Sequence, residues 1–286
     1  MSNWLALLLM TAAATAIWPV ARWAMHHAAR PAALGLVMVS VVLCVDGGLA
    51  LALHSPLLVP MAWGLGSIGG VCYAVGFVLI IFHCLRIGPT GPTVTLNNLG
   101  MVWPILIGMI WSVAAHGLQW AGVACTGAAL VLTGFINRAE GPSMLPLTPR
   151  WARWALLGWL FAGLSMSSQY LSGQWVPHAP YAYVVAWSLV ALVVLLVAWA
   201  LGRHTRFTRV EVAAGLATGL ISALTLPLQL WLLGRMAPFI VFPVTIAGPV
   251  IVILLLGQFA FRERLNLAGW SASLLGVAGI LLLALG

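Results

Sequence analysis

Apolar stretches of about twenty residues, the length a helix needs to cross a bilayer, recur ten times along this chain. Arginines, Gly/Pro punctuation and short polar clusters separate them. They predict spans at 3–24, 31–53, 58–82, 89–112, 117–137, 152–173, 180–201, 211–233, 237–260 and 267–285. Only helices and closed barrels satisfy the backbone in lipid, and unbroken apolar runs lack the alternation of barrel strands. The expected fold is an all-α membrane protein with ten transmembrane helices.

Composition sharpens this expectation. Of the 286 residues, 63% are hydrophobic and 6% charged, against roughly 25% charged in a soluble domain, and the mean hydropathy is +1.10. The connections between spans are too short for a soluble domain, so function must be performed within the bilayer. The formal charge is +8, but there is no lysine and the twelve arginines are dispersed among the connections. That dispersal reads as membrane orientation and not as a nucleic-acid surface. Arg22, Arg30, Arg86, Arg138, Arg150, Arg153, Arg203, Arg206, Arg209, Arg262 and Arg264 fall in connections 1–2, 3–4, 5–6, 7–8 and 9–10, and only Arg235 lies on the other side. The asymmetry predicts a multi-pass protein of the cell inner membrane with odd-to-even connections in the cytoplasm and both chain ends outside. The N-terminal stretch lacks a basic n-region and is read as the first span. Cys44, Cys72, Cys84 and Cys125 lack the paired spacing of a disulfide framework or zinc site and are read as packing residues.

The chain also reads as two five-helix repeats, 1–137 and 151–286, joined by a cytoplasmic linker at 138–150. LQWAG at 118–122 corresponds to LNLAG at 265–269, AWGL at 62–65 to AAGL at 213–216, and Pro31 to Pro180. Five is odd, so the copies enter the membrane in opposite senses, as in the inverted repeats of secondary transporters.

Polar residues inside the spans recur at helical spacing and so share faces. They are Thr11, Thr15, Trp18 and Arg22 in span 1; Thr93, Asn97, Gly100 and Pro104 in span 4; Ser165, Ser168, Gln169 and Ser172 in span 6; and Thr218, Ser222, Thr225 and Gln229 in span 8. Small and hydroxyl residues also serve helix packing, with Ser or Thr bonding its own i−4 carbonyl. Carboxamides are costlier to bury without partners, which directs attention to Asn97, Asn98, Gln169 and Gln229. The expected substrate-binding set is Trp18, Trp63, Asn97, Asn98, Ser165, Gln169, Thr225 and Gln229, with Trp103 and Trp187 as further candidate cavity tryptophans. The cavity is expected between spans 1, 3, 4, 6, 8 and 9.

Asp46 is the only carboxylate well inside a span, about 10 Å from its outer end. An ionisable group at that depth is costly and marks function, here proton coupling or contact with a cation. The alternative is that Gly47 and Gly48 unwind the helix and let Asp46 cap an end or reach the headgroups. Glu211 reads as solvated or capping, and Glu263 as an ion-pair partner of its neighbouring arginines. Pro104, Pro227, Pro243 and Pro249 interrupt backbone bonding and suit either moving gates or static kinks. There is no HExxH, GxSxG or Walker A pattern and no carboxylate cluster. No enzyme activity, cofactor or metal site is expected.

The stretch ERLNLAGWSASLLGVAGILLL, Glu263 to Leu283, resembles the end of the EamA-like repeat of the drug/metabolite transporter superfamily, with Gly269 and Gly276 seven apart. WPVARWA, Trp18 to Ala24, is similar to the end of that family's first helix, with Arg22 in place of the usual lysine. AWGLGSIGGVCYAVGF, Ala62 to Phe77, resembles the third helix of the sugar branch, the rhamnose/proton symporters. The resemblance implies ten helices in two halves and secondary active transport. The resulting expectation is alternating-access movement of a small polar metabolite (a sugar, amino acid or similar), with small-molecule substrate and membrane lipids as partners and a homodimer left open. A multidrug or organic-cation exporter, or a passive facilitator or channel, is the alternative.

Overall fold

In the computed structural model of the protein, the described residues are 2–27, 29–87, 93, 96–111, 117–136, 148–202, 206–259 and 267–285. No strand occurs among them. In chain order they form α1 (Asn3–Thr15), α2 (Ile17–His26), α3 (Pro31–Ala52), α4 (Pro60–Cys72), a π-helical segment (Tyr73–Ile81), α5 (Phe82–Ile87), a 3₁₀ turn (Leu99–Met101), α6 (Val102–Trp111), α7 (Gly117–Ile136), α8 (Pro149–Trp175), α9 (Pro180–Leu201), α10 (Arg209–Leu233), α11 (Pro238–Phe259) and α12 (Leu267–Leu285).

Among the described residues, five stretches are long and apolar enough to cross a membrane: Asn3–Met25, Pro31–Ala52, Pro60–Cys84, Pro180–Leu201 and Arg209–Leu233. The distribution of polarity agrees. On α10, Leu216, Leu220 and Leu224 face outward, while Gly215, Thr218, Gly219 and Thr225 are buried. This reverses the polarity of a helix on a soluble protein, and it is what a lipid-facing helix requires. α8 is 27 residues long but less apolar than these five, because it carries Ser165, Ser167, Ser168, Gln169 and Ser172, all of them buried. Its polar face is turned into the protein. These features mark a helical membrane protein.

The first predicted span is broken at Ala16, between α1 and α2. The cause is Pro19, whose ring lacks the N–H that would bond to Thr15 and crowds that carbonyl. The third predicted span runs on through the π-helical segment to Ile87. By contrast, α10 continues through Pro227 and α11 through Pro243 and Pro249. The sequence-based readings at Glu263, most of the linker (138–147) and the 4–5 turn fall outside the described residues.

The bundle is held by close pairs: α3 with α10, α4 with α9, α3 with α9, and α7 with α12. α8 packs on α4, the π-helical segment and the 3₁₀ turn, and α1 packs on α10 and α11. Glycine permits the tightest approach. A Cβ at Gly66 would stand 2.6 Å from the Tyr183 carbonyl oxygen and 2.9 Å from the Ala186 Cβ on α9, whereas one at Gly64 would meet nothing within 4 Å. Gly66→Ala must therefore push α4 from α9, at a cost of about 1–3 kcal/mol, and is expected to lower the unfolding temperature in detergent. Gly64→Ala, which only gains helix propensity, is expected to leave that temperature unchanged or raise it slightly.

One end of the bundle is fastened by a partly buried ion pair. Thr208 caps α10 in a reciprocal box: its hydroxyl accepts from the Glu211 N–H at 3.2 Å, and Glu211 Oε2 accepts from the Thr208 N–H at 2.8 Å. The same carboxylate takes Arg30 Nε at 2.7 Å, Arg30 Nη2 at 2.8 Å and the Arg30 backbone N–H at 2.9 Å. Arg30 directly precedes Pro31, the first residue of α3, so α3 and α10 are locked at their starts. Glu211 caps, as the sequence suggests, but it is fully buried and not solvated.

Candidate functional site

A cavity of about 240 Å³ lies between the helices, in the half of the bundle nearer Arg30. α1 and α2 contribute Met10, Ala14, Ile17 and Ala21, α3 contributes Leu34, Gly35 and Met38, and α8 contributes Ser165, Met166 and Gln169. From α10 come Thr218, Ser222, Thr225 and Gln229, and from α11 Thr245, Ile246 and Pro249. Asn97 and Asn98 reach it from the segment before the 3₁₀ turn, and Trp187 from α9. All six spans expected at the cavity are represented, and α3 and α9 join them.

The lining contributed by the third span has a different periodicity. Besides Val78, the span contributes Tyr73, Phe77 and Phe82, spaced by four and five residues, which the wide i→i+5 winding of a π-helix brings onto one face. Tyr73 stacks on Phe77 with centroids 5.2 Å apart, and Trp187 leans on Tyr73 at 4.5 Å. Phe82 meets Phe77 edge-on at 5.7 Å. Four aromatic rings thus form a continuous wall. A search for 3.6-residue periodicity misses Tyr73, Phe77 and Phe82, because the local helix has another period.

The hydroxyls and amides of the lining differ in how far they are already committed. Thr218 donates to the Ala214 carbonyl at 2.7 Å and Thr245 to that of Val241 at 2.8 Å, the i−4 back-bonding that packing alone would produce. Ser165 donates across to the Gly69 carbonyl at 3.2 Å. The nearest carbonyl partner of Thr225, that of Ser222, is at 3.4 Å. Ser168 stands off the cavity, within 2.9 Å of the Tyr183 hydroxyl. The carboxamides are freer. Asn97 Nδ2 donates to Asn98 Oδ1 at 3.5 Å, while Asn97 Oδ1 and Asn98 Nδ2 are buried without partners. Trp187 Nε1 is likewise unpaired. The structure therefore gathers Asn97, Asn98, Ser165, Gln169, Thr225 and Gln229 around one space. A buried polar group without a partner costs about 1–3 kcal/mol, so Asn97 Oδ1, Asn98 Nδ2 and Trp187 Nε1 are poised for a polar guest.

One of the expected residues stands elsewhere. Trp63 does not line the cavity; its indole donates to the Leu57 carbonyl at 2.7 Å and ties down the connection before α4. The Trp18 side chain falls outside the described residues, although neighbouring Ile17 and Ala21 line the cavity. Trp103 is also absent from the lining and packs beside Trp159, at 5.5 Å.

Among the described residues, the opposite half of the bundle is closed by packed side chains. Tyr170, Leu232, Leu233, Phe239 and Phe242 are buried in one cluster, and Val176, Ala179, Tyr183 and Leu230 in another. Asp46 sits in this closed half, about 12 Å along α3 from Met38 and on the same face. It is fully buried, and neither carboxylate oxygen has a hydrogen-bond partner. Tyr181 on α9 lies within its electrostatic reach. α3 runs unbroken through Gly47 and Gly48 to Ala52, so Asp46 neither caps a helix end nor reaches the surface. It does not line the cavity.

No family model matches this chain. No curated protein matches it either. Among solved structures, one described only as "Crystal structure of protein" superposes with a TM-score of 0.73 over 97% of this chain and 96% of that chain, at 18% identity. This helical membrane architecture is thus a fold shared, nearly end to end, with an experimentally solved protein.

Proposed function

We propose that the chain is a secondary transporter of the drug/metabolite transporter superfamily that moves a small polar metabolite across the cell inner membrane by alternating access. The observation that carries this reading is the one-sided cavity: four carboxamides line a space between eight of the predicted spans while the described side chains of the opposite half are packed together. A channel would want a path open at both ends, whereas an alternating-access carrier binds at the midplane between two halves. The ten-span, inverted-repeat reading gains support from the packing. Exchanging residues 1–137 with 151–286 converts α3 on α10 into α9 on α4, and α8 on α4 into α1 on α10. With the arginine-rich ends in the cytoplasm, the conformation is inward-facing.

Asp46 is the proposed proton-coupling group, acting through conformation because it stands apart from the cavity. An organic-cation exporter would be better served by a carboxylate in the cavity, and none of the described lining residues is charged. The test is transport by the purified protein in oriented vesicles. Gln169→Leu and Gln229→Leu are each expected to reduce saturable uptake at least tenfold, with unfolding temperature held within a few degrees. Uptake that does not saturate, or that ignores both substitutions, would overturn the carrier reading.

A further inference from the structure

The cavity's chemistry narrows the class of its occupant, on the basis of the transporter reading above. None of the described lining residues carries a charge. A carboxylate, phosphate or ammonium brought into the space would lose its hydration without gaining a counter-charge, which is prohibitively unfavourable. The described lining therefore favours an uncharged occupant. Its size is bounded as well: at about 240 Å³, the space falls below the range of roughly 300–1,000 Å³ typical of drug-sized ligands. It suits one small ring system.

The distribution of polarity distinguishes between uncharged rings. A sugar carries hydroxyls around its whole rim, and each would need a partner. Here Met10, Met38, Met166, Phe77, Phe82 and Ile246 present apolar surface to the same space, and a hydroxyl set against them would be desolvated without compensation. A planar heterocycle differs in having two apolar faces and a polar edge. Tyr73, Phe77 and Trp187, with centroids 4.5–5.2 Å apart in successive pairs, offer the π-surface for such faces. The edge has a counterpart too. Asn97 and Asn98 are joined through one amide contact at 3.5 Å, leaving one acceptor, Asn97 Oδ1, and one donor, Asn98 Nδ2, unsatisfied. An adjacent acceptor and donor complement the N–H and C=O, or N–H and ring nitrogen, of a lactam or amidine edge.

We infer that the cavity takes an uncharged, planar nitrogen heterocycle of nucleobase type, stacked on the Tyr73, Phe77 and Trp187 wall and paired at its edge by Asn97 and Asn98. The test is equilibrium dialysis of the full chain in detergent against uracil, adenine, glucose and alanine. Saturable binding of uracil or adenine, absent for glucose and alanine, is expected. Asn98→Leu and Tyr73→Leu should each weaken it at least tenfold, and folding of both variants is checked by thermal unfolding. Binding of glucose or alanine without uracil or adenine would overturn the heterocycle class and leave the carrier reading standing. Binding of none of the four by folded protein would overturn the heterocycle class and, with it, count against the cavity as a metabolite site. Heterocycle binding that survives both substitutions would overturn the proposed placement.

Discussion

Arg30→Ala is expected to destabilise the folded protein by about 3 kcal/mol, the range in which removing one partner of a buried ion pair leaves the other charge uncompensated. Glu211 is fully buried. In the variant it would keep its two backbone donors, Arg30 N–H and Thr208 N–H, but lose both guanidinium contacts. The damage should therefore be electrostatic more than steric. A second variant isolates that cause. Combining Arg30→Ala with Glu211→Gln removes the orphaned charge while the amide oxygen can still accept from Thr208, and the double variant is expected to be more stable than Arg30→Ala alone. Thermal unfolding in detergent reads both. A single variant no worse than the double would show that the pair contributes nothing as a charge pair.

Asp46→Asn is expected to abolish the dependence of transport on a proton gradient while preserving substrate binding. The two effects separate because the carboxyl does not line the cavity. It lies in the closed half, where both oxygens are buried and unpartnered. An ionised carboxylate in that packing would be an isolated charge, one of the costliest things a protein interior can hold. Opening the closed half would hydrate it, so proton release and conformational change would be linked through the same side chain. Asparagine keeps the shape and removes the ionisation. Counterflow exchange, which needs no net proton movement, should persist in the variant. Uptake driven by a pH gradient should not. Gradient-driven uptake at the wild-type level in Asp46→Asn would refute the coupling role.

Much of the site was readable from local pattern. Asn97, Gln169, Thr225 and Gln229 fall on helical faces whose spacing is set by the 3.6-residue turn, and a polar face on an otherwise apolar helix has few places to go except inward. That logic holds wherever the helix is regular. It fails along Tyr73–Ile81, where the chain winds as a π-helix and the face carrying Tyr73, Phe77 and Phe82 follows another period. It is also blind to side-chain commitments. Trp63 and Ser165 have the right residue types, yet one indole is spent on Leu57 and one hydroxyl on Gly69.

The sequence by itself determined that the protein is helical and membrane-embedded, and that its polar groups are concentrated on a few faces. Those are properties of composition and of near neighbours along the chain, and solvent chemistry enforces them without knowledge of topology. Only the tertiary structure decided which faces meet. The partner of Glu211 is Arg30, 181 positions away, and no local pattern encodes that distance. Asp46 could have capped an unwound turn; the unbroken α3 and the packing around it made it a buried carboxyl instead. Which half of the bundle is open is likewise settled by contacts between distant helices, since burial is a property of the assembled fold and not of any one segment.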